Sequence, residues 1–401
     1  MPRLDIHDSS VWPPEAVLAR RGPHIFFVLA SLYAALVLVL WVIAYQLPWL
    51  SVVPPAIWHA HEMLYGFAAA GMMGLLAAVV PRWSGALPFA DTTLAFLAAV
   101  WVLGRVAMIL TGLLPEWLIA IVDLSFLPLS AVVIVFPHLT ARLERNLPLL
   151  IALAVLWLGD LLMQTKVLGL SYAVAERGAR LGLDTYLLLI TAIGGQTIPA
   201  ATDRFLASQG LKVSSYRVPL LDQLSVTVIG LYLISDAVAG SGISTSIAAL
   251  LAGGLNGARL ILWRGYFTVK APEVAALHLG FLWMVLGLLL EATVPVMGGV
   301  ADMAAVHALT VGAVGMTLFA LISSESSIHG GHGLAAGPVT MTAYALVTLA
   351  AALRVAALFV PGAFVNLIIS SGALWVLGAL ALSMTYLPLG GPFAPRIRKS
   401  P

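Results

Sequence analysis

Residues 57–80 read IWHAHEMLYGFAAAGMMGLLAAVV, an apolar run with His59, His61 and Glu62 near its start. About 20 apolar residues are enough for one helix to cross a bilayer. Ionisable side chains inside such a helix are costly, and they usually face a protein interior, a cavity or a partner. This stretch therefore predicts a membrane-spanning helix that carries part of a functional site.

The composition extends this interpretation to the whole chain. Of the 401 residues, 61% are hydrophobic and 9% are charged, whereas soluble proteins carry about 25% charged residues. We therefore predict an all-α, polytopic membrane protein, because helices satisfy their own backbone hydrogen bonds in lipid. A formal charge of +2 gives no basis for nucleic-acid binding. The absence of cysteine excludes disulfides, thiolate metal sites, iron–sulfur clusters and c-type attachment of haem.

Hydropathy and the positions of proline, glycine and charged residues predict about twelve transmembrane helices in a single domain, residues 1–401. The longest connecting loops, about 201–217 and 324–337, are too short to form a soluble domain. The expected spans are 24–47, 57–80, 92–113, 117–137, 147–167, 179–200, 218–238, 242–263, 273–294, 301–323, 338–359 and 364–388.

The basic residues predict the orientation of these spans. If the N-terminus is cytoplasmic, fourteen of the 20 lysine and arginine residues lie on the cytoplasmic side. The outer loops then hold Arg177 and Arg180 alone. Because cytoplasmic loops are rich in Lys and Arg, both termini are predicted to be cytoplasmic.

With this orientation, many ionisable residues share one depth in the outer half of the membrane. Such residues usually face a polar interior or pair with one another. We therefore expect one polar site near the outer face; the alternative is a set of independent ion pairs. The residues concerned are His59, His61, Glu62, Arg105, Asp123, Asp160, Asp184, His307 and Arg354.

The spacing of the first two histidines limits how they can act. Residues two apart in a regular helix point about 200° from each other, so His59 and His61 cannot bind one metal ion from such a helix. His59 shares a face with Glu62, and His61 shares one with Tyr65. Glu62 and Tyr65 are therefore candidates for orienting a histidine ligand through a hydrogen bond.

His307 is the candidate partner from a distant span. Gly312 and Gly315 follow it; they indicate either close helix packing through small residues or a shallow surface that suits the face of a haem. Imidazole is the commonest protein ligand of haem iron and transition metals, and Arg105 and Arg354 are candidates to bind haem propionates. The alternatives are backbone hydrogen bonds for the histidines and ion pairs with aspartates for the arginines.

A second candidate site lies toward the cytoplasmic side. His278, near the start of the ninth span, is a possible copper ligand together with His329 after the tenth. His332 is a weaker candidate, because its position in a solvated loop explains it better.

Four motifs resemble the NnrS family. They are WHAHEMLYGFAAAGMMGLLAAVVPRWSG at 58–85, GGQTIP at 194–199, LHLGFLWMVLGLLL at 277–290 and HALTVGAVGMTLFALIS at 307–323. The resemblance covers essentially the whole chain. It implies a haem- and copper-containing protein of the bacterial inner membrane that is linked to nitric oxide tolerance.

The resemblance also assigns residues. The positions that match the family's histidines are His59, His61, His278, His307 and His329. The chain departs from the family at Gln196, where an arginine is usual, and in 324–337, which contains no arginine. If the family's arginines bind an anionic group, this chain lacks those two contacts with it.

Three functions remain open from the sequence. The first is binding or handling of nitric oxide at a non-covalent, b-type haem. The second is a quinol-linked nitric oxide or oxygen reductase, although the sixth and seventh spans contain no histidine to serve as a copper ligand. The third is a proton-coupled transporter of a small solute that uses the intramembrane carboxylates.

Overall fold

The computed structural model describes residues 22–46, 53–85, 87–136, 143–329 and 336–385. This part of the chain contains helices and no β-strand, in agreement with the expected all-α fold. Both ends of the chain lie outside it, so the cytoplasmic location of the termini stays a prediction.

Twelve helices in the described ranges are long and apolar enough to cross a membrane, which confirms the predicted number. They are α1 Pro23–Ala44, α2 Pro55–Ser84, α3 Asp91–Ile109, α4 Glu116–Val135, α5 Leu147–Val167, α6 Tyr172–Ser208, α7 Pro219–Ala239, α8 Ile243–Leu262, α9 Pro272–Glu291, α10 Gly299–Glu325, α11 Pro338–Phe359 and α12 Pro361–Met384. A 3₁₀ turn, Gly265–Thr268, joins α8 to α9, and the short helix Val294–Met297 joins α9 to α10.

Proline fixes the start of several of these helices. Pro55, Pro219, Pro272 and Pro338 stand at the first positions of α2, α7, α9 and α11. Proline suits the first turn because its missing N–H has no intrahelical partner there, and its fixed φ is close to the helical value. Helix α6 begins differently: the Ser171 hydroxyl accepts a hydrogen bond from the Val174 backbone N–H at 3.3 Å.

Helices α2, α6 and α10 are longer than expected, at 30, 37 and 27 residues. The predicted spans end before charged residues such as Arg82, Arg204 and Glu325, whereas the helices include these residues. Each of the three also contains a π-helical segment, at Glu62–Ala68, Ile190–Gly194 and Ala308–Gly315. Such segments are rare and often occur at functional sites. Two of them begin directly after His61 and His307.

The histidine-bearing helices lie at the centre of the bundle. In the most apolar window of α2 83% of residues are buried, and in that of α10 72%, whereas the value for α7 is 22%. Side chains on α2 and α10 therefore face other helices over most of their surface. His59, His61, Glu62 and His307 therefore lie on helices that are packed over most of their surface.

Glycines allow close packing of bulky side chains around these central helices. A Cβ atom at Gly312 would lie 2.5 Å from Cγ of Trp283, and one at Gly315 would lie 2.8 Å from Cζ3 of Trp375. The surface that we expected to accept a haem face is therefore filled by two indole rings. Close helix packing through small residues explains these glycines.

Tyr65 of α2 depends on the same kind of contact. Its hydroxyl donates a hydrogen bond to the Gly178 carbonyl oxygen at 3.0 Å. A Cβ atom at Gly159 or Gly182 would overlap the Tyr65 hydroxyl oxygen. The ring of Tyr65 lies 5.5 Å from that of His61, centroid to centroid. Tyr65 thus packs against His61 without a hydrogen bond to it in the described structure.

We expect Gly182→Ala to lower the unfolding temperature of the detergent-solubilised protein, because overpacking a close contact costs about 1–3 kcal/mol. Gly254→Ala is the matched control, since a Cβ atom at Gly254 of α8 meets nothing within 4 Å. Thermal unfolding of both variants beside the wild type provides the measurement. Equal unfolding temperatures for the two variants would contradict the packing described for Tyr65.

Candidate functional site

The polar residues expected at one depth form three separate groups rather than one site. All three groups lie where the even-numbered helices begin and the odd-numbered helices end, which we call the His61 end of the bundle. The His61 cluster comprises His61, Glu62, Arg105, Asp123 and Asp160, with Tyr33 and Gln164. The His59 group comprises His59, His307 and Arg354. The Arg180 cluster comprises Arg180, Asp184, Asp236, Glu291 and Asp302.

Both ring nitrogens of His61 face carboxylates. Its Nδ1 lies 2.8 Å from Oε1 of Glu62, and its Nε2 lies 3.0 Å from Oδ2 of Asp123 and 3.0 Å from Oδ1 of Asp160. The side chains come from α2, α4 and α5, and His61 is 1% exposed. The His61, Asp123 and Asp160 side chains are close enough together to hold a metal ion.

Arg105 of α3 joins two carboxylates of the His61 cluster. Its Nη1 donates to Oε2 of Glu62 at 2.8 Å, and its Nη2 donates to Oδ1 of Asp123. The Tyr33 hydroxyl also donates to Oε2 of Glu62. These contacts are the ion pairs that the sequence left as the alternative to propionate binding by Arg105.

Among the described residues Glu62 makes no hydrogen bond to His59, which is a correction to the expected pairing. Its Oε1 contacts His61, the adjacent residue, instead. Arg105 and Tyr33 hold the other carboxylate oxygen on the same side of α2. Two strong donors therefore decide the direction of this side chain, which helical spacing alone predicted incorrectly.

His59 faces a different part of the bundle from His61. Its ring packs against Trp41 of α1, with 4.9 Å between the centroids. Its Nδ1 is buried and has no hydrogen-bond partner among the described residues. Arg354 of α11 interacts electrostatically with His59 and with His307, and the two histidines also interact with each other. The fold thus brings α2, α10 and α11 together around two imidazoles.

His307 is held by its own helix. Its Nδ1 donates to the Met303 carbonyl oxygen at 2.8 Å, one turn earlier. This hydrogen bond fixes the tautomer and leaves Nε2 as the nitrogen that can bind a metal. Within the described structure, Nη1 of Arg354 is buried without a hydrogen-bond partner. The His59 group therefore holds unsatisfied polar atoms, whereas His61 is engaged on both sides.

The Arg180 cluster contains residues that the sequence analysis missed. Arg180, which we expected in an outer loop, lies within α6, pairs with Asp302 and lies 3.5 Å from Glu291 through Nη1 and Oε2. Asp236, Glu291 and Asp302 stand at the ends of α7, α9 and α10, where charged residues usually mark a helix boundary. Because all three residues were expected at the same end of the bundle, the sequence contained a signal from which this cluster could have been predicted.

His278 lies at the opposite end of the bundle. Its Nε2 is 2.8 Å from Oγ1 of Thr202, and its Nδ1 is buried without a partner in the described ranges. A Cβ atom at Gly265 would lie 2.5 Å from that Nδ1. The backbone of His329 ends the helix Met316–His329, but its side chain and all of His332 lie outside the described structure. Their approach to His278 stays a prediction.

The neighbourhood of Gln196 contains a guanidinium from another helix. Arg259 of α8 lies against Gly195, so closely that a Cβ atom there would overlap Nη2. Nε of Arg259 donates to Oδ1 of Asp222 at 2.9 Å, and Nη1 donates to Oδ1 of Asn256 at 3.0 Å. Gln196 itself donates to the Ala192 carbonyl oxygen at 3.4 Å. A positive charge therefore lies close to Gln196, the position where the family resemblance led us to expect an arginine.

The fold and these groups define a class: a multi-pass, α-helical membrane protein with histidines, carboxylates and arginines buried between its helices. Comparison with known families then gives the identification. The family model described as NnrS protein matches residues 18–390, so the chain belongs to the NnrS family. A search of curated proteins gives no match.

The ion pairs of Arg105 predict a large loss of stability when this residue is changed. Arg105→Met leaves buried carboxylates of Glu62 and Asp123 without their cation, which typically costs about 3–5 kcal/mol. Arg217→Met is the control, because Arg217 is 42% exposed in its pair with Asp222 and such pairs contribute about 0–1 kcal/mol. Thermal unfolding in detergent compares the two. A similar decrease in both variants would mean that the buried pairs contribute no more than the exposed one.

Proposed function

We propose that this NnrS-family protein acts in the nitric oxide response of a bacterial inner membrane by binding haem between His59 and His307. The observation that carries the proposal is the electrostatic interaction of the Arg354 guanidinium with two imidazoles, His59 of α2 and His307 of α10. These helices are far apart in the sequence. Nitric oxide is small and uncharged, so a haem among apolar helices is accessible to it from the membrane.

The polar atoms of this group fit a haem. The buried Nδ1 of His59 lacks a partner among the described residues, and a neutral imidazole nitrogen is a suitable ligand for haem iron. The Met303 carbonyl oxygen holds Nδ1 of His307, which directs Nε2 toward ligand binding. The haem would be bound non-covalently, because the chain contains no cysteine for c-type attachment, and we assign it as b-type. Bound haem would supply an iron centre that takes nitric oxide as a ligand.

Arg354 is the arginine that we assign to the haem propionates. Its Nη1 is buried without a partner in the described structure, and guanidinium–carboxylate pairs are strong when solvent is excluded. Arg105 is already bound to Glu62 and Asp123, so its contacts favour a role in the His61 cluster. In this proposal His59 and His307 would hold the iron, and Arg354 would neutralise the propionates.

For copper, we propose His278 with His329. The buried Nδ1 of His278 has no partner among the described residues and fits an imidazole ligand of copper. Sites at opposite ends of the bundle would allow electrons to cross the membrane, with quinol as a candidate donor. In that case the protein would be an enzyme, a nitric oxide or oxygen reductase.

The Arg180 cluster favours one second candidate, a proton-coupled transporter of a small solute. Both carboxylate oxygens of Glu291 are buried without hydrogen-bond partners in the described part of the chain. Intramembrane carboxylates of this kind occur in proton relays. A purified protein that shows no haem spectrum after haem is supplied would favour this function.

We expect His59→Ala and His307→Ala each to weaken haem binding by at least ~10-fold, the scale seen when a metal site loses a supporting group. Haem content of the purified proteins, measured by absorption spectroscopy and pyridine haemochrome, gives the result. His278→Ala is the control and is expected to retain haem, because it lies at the other end of the bundle. Full haem content in both His59→Ala and His307→Ala would overturn the proposed haem site.

Copper content tests the second metal separately. We expect His278→Ala to lose bound copper while its haem spectrum is unchanged, because a ligand nitrogen is removed far from the His59 group. His59→Ala should lose haem while its copper content is unchanged. Elemental analysis of both variants in the same detergent provides the measurement, and unchanged copper in His278→Ala would remove this residue from the copper site.

A further inference from the structure

The His61 cluster brings three electron-rich atoms to one point. Nε2 of His61, Oδ2 of Asp123 and Oδ1 of Asp160 converge, with both nitrogen–oxygen distances at 3.0 Å. All three side chains are buried. Lone pairs at this spacing repel one another unless a positive charge lies between them. Either a proton on His61 or a metal cation can supply that charge.

Gln164 of α5 adds a fourth group and points to a metal cation. Its side chain is 0% exposed, and its Oε1 has no hydrogen-bond partner among the described residues. Its Nε2 lies 3.3 Å from Nε2 of His61 and also contacts Oδ2 of Asp123. Rotating the amide by 180° exchanges oxygen and nitrogen without changing the shape of the side chain. The unsatisfied oxygen then faces the point where the other three atoms converge.

The surrounding contacts prepare these atoms to act as ligands. Glu62 accepts from Nδ1 of His61 at 2.8 Å, which leaves the lone pair of Nε2 free for a metal, as in carboxylate–histidine–metal arrangements. Arg105 occupies Oδ1 of Asp123 and leaves Oδ2 pointing at His61. Each supporting contact therefore engages the atom that a cation would not use.

Charge balance gives an independent reason for a divalent ion. The cluster contains the carboxylates of Glu62, Asp123 and Asp160 and the single guanidinium of Arg105. With His61 neutral, two negative charges remain without compensation. Buried charge of this size is very unfavourable inside a membrane protein, and one divalent cation neutralises it.

We propose that His61, Asp123, Asp160 and Gln164 bind one divalent first-row transition-metal ion, Mn²⁺, Fe²⁺ or Zn²⁺. One imidazole with carboxylate and amide oxygens suits these ions. Neighbouring ligands around an octahedral ion with bonds of about 2.1 Å lie about 3.0 Å apart, which matches the distances from His61 to the two aspartates. The ion would join α2, α4 and α5 beside the helix turn that carries His59. The inference does not depend on haem binding.

The test uses the purified full-length protein and measures metal content and thermal unfolding. Wild-type protein is analysed by mass spectrometry for metals, treated with a chelator, and titrated with Mn²⁺ or Zn²⁺. Asp160→Asn and Gln164→Leu remove one proposed ligand each. Glu291→Gln is the matched control, because it neutralises a buried carboxylate in the Arg180 cluster. Haem and copper are measured in parallel, so failure of the haem proposal is recognised separately.

We expect one divalent ion per chain in addition to haem iron and copper. Chelation should lower the unfolding temperature, and Mn²⁺ or Zn²⁺ should restore it. Asp160→Asn and Gln164→Leu should bind the ion at least ~10-fold more weakly, whereas Glu291→Gln should retain it. Because the wild-type titration is itself decisive, the test stands even if a variant fails to fold.

Three results would overturn the proposal. Wild-type protein that binds neither ion, with an unfolding temperature unaffected by both, would mean that protons balance the charge. Equal ion loss in Glu291→Gln would place the ion outside the His61 cluster. Copper as the sole metal lost with Asp160→Asn would contradict the proposed class of ion.

Discussion

The compensation of buried charge is the constraint on which the rest of this structure depends. Arg105 joins Glu62 to Asp123 among the central helices, where an unpaired charge is very costly. This arrangement ties α2, α3 and α4 together. It also sets the direction of Glu62 and, through Glu62, the orientation of His61. The packing of three helices at one end of the bundle is thereby linked to one set of ion pairs.

The same constraint separates the two histidines of the WHAHEM motif. His61 meets carboxylates on both sides, whereas His59 meets Trp41 and the charge of Arg354. His59 and His61 are only two positions apart in α2, yet they lie in two different environments. One environment is anionic and suits a cation. The other brings two imidazoles near a guanidinium, and it is there that we propose haem binding.

The π-helical segments bear on this arrangement. Helices α2 and α10 change to π-helical geometry directly after His61 and His307. A π turn contains one more residue than an α turn, so it rotates the rest of the helix relative to the histidine. The apolar faces of α2 and α10 can then pack tightly against other helices; Trp283 contacts Gly312, and Trp375 contacts Gly315. The orientation of the histidines does not have to follow that of these apolar faces.

The sequence by itself determined the membrane class, the twelve helices and the family, because apolar length and local motifs are properties of continuous segments. It also placed the important ionisable residues at one end of the bundle, and helical periodicity separated His59 from His61. Tertiary structure alone decided the partners. Glu62 contacts His61 because Arg105 and Tyr33 hold its carboxylate there. The surface at Gly312 that was expected to accept a haem is filled by Trp283. Arg180, Asp236, Glu291 and Asp302 meet only through folding, since contacts between helices depend on rotations and distances that no single segment encodes.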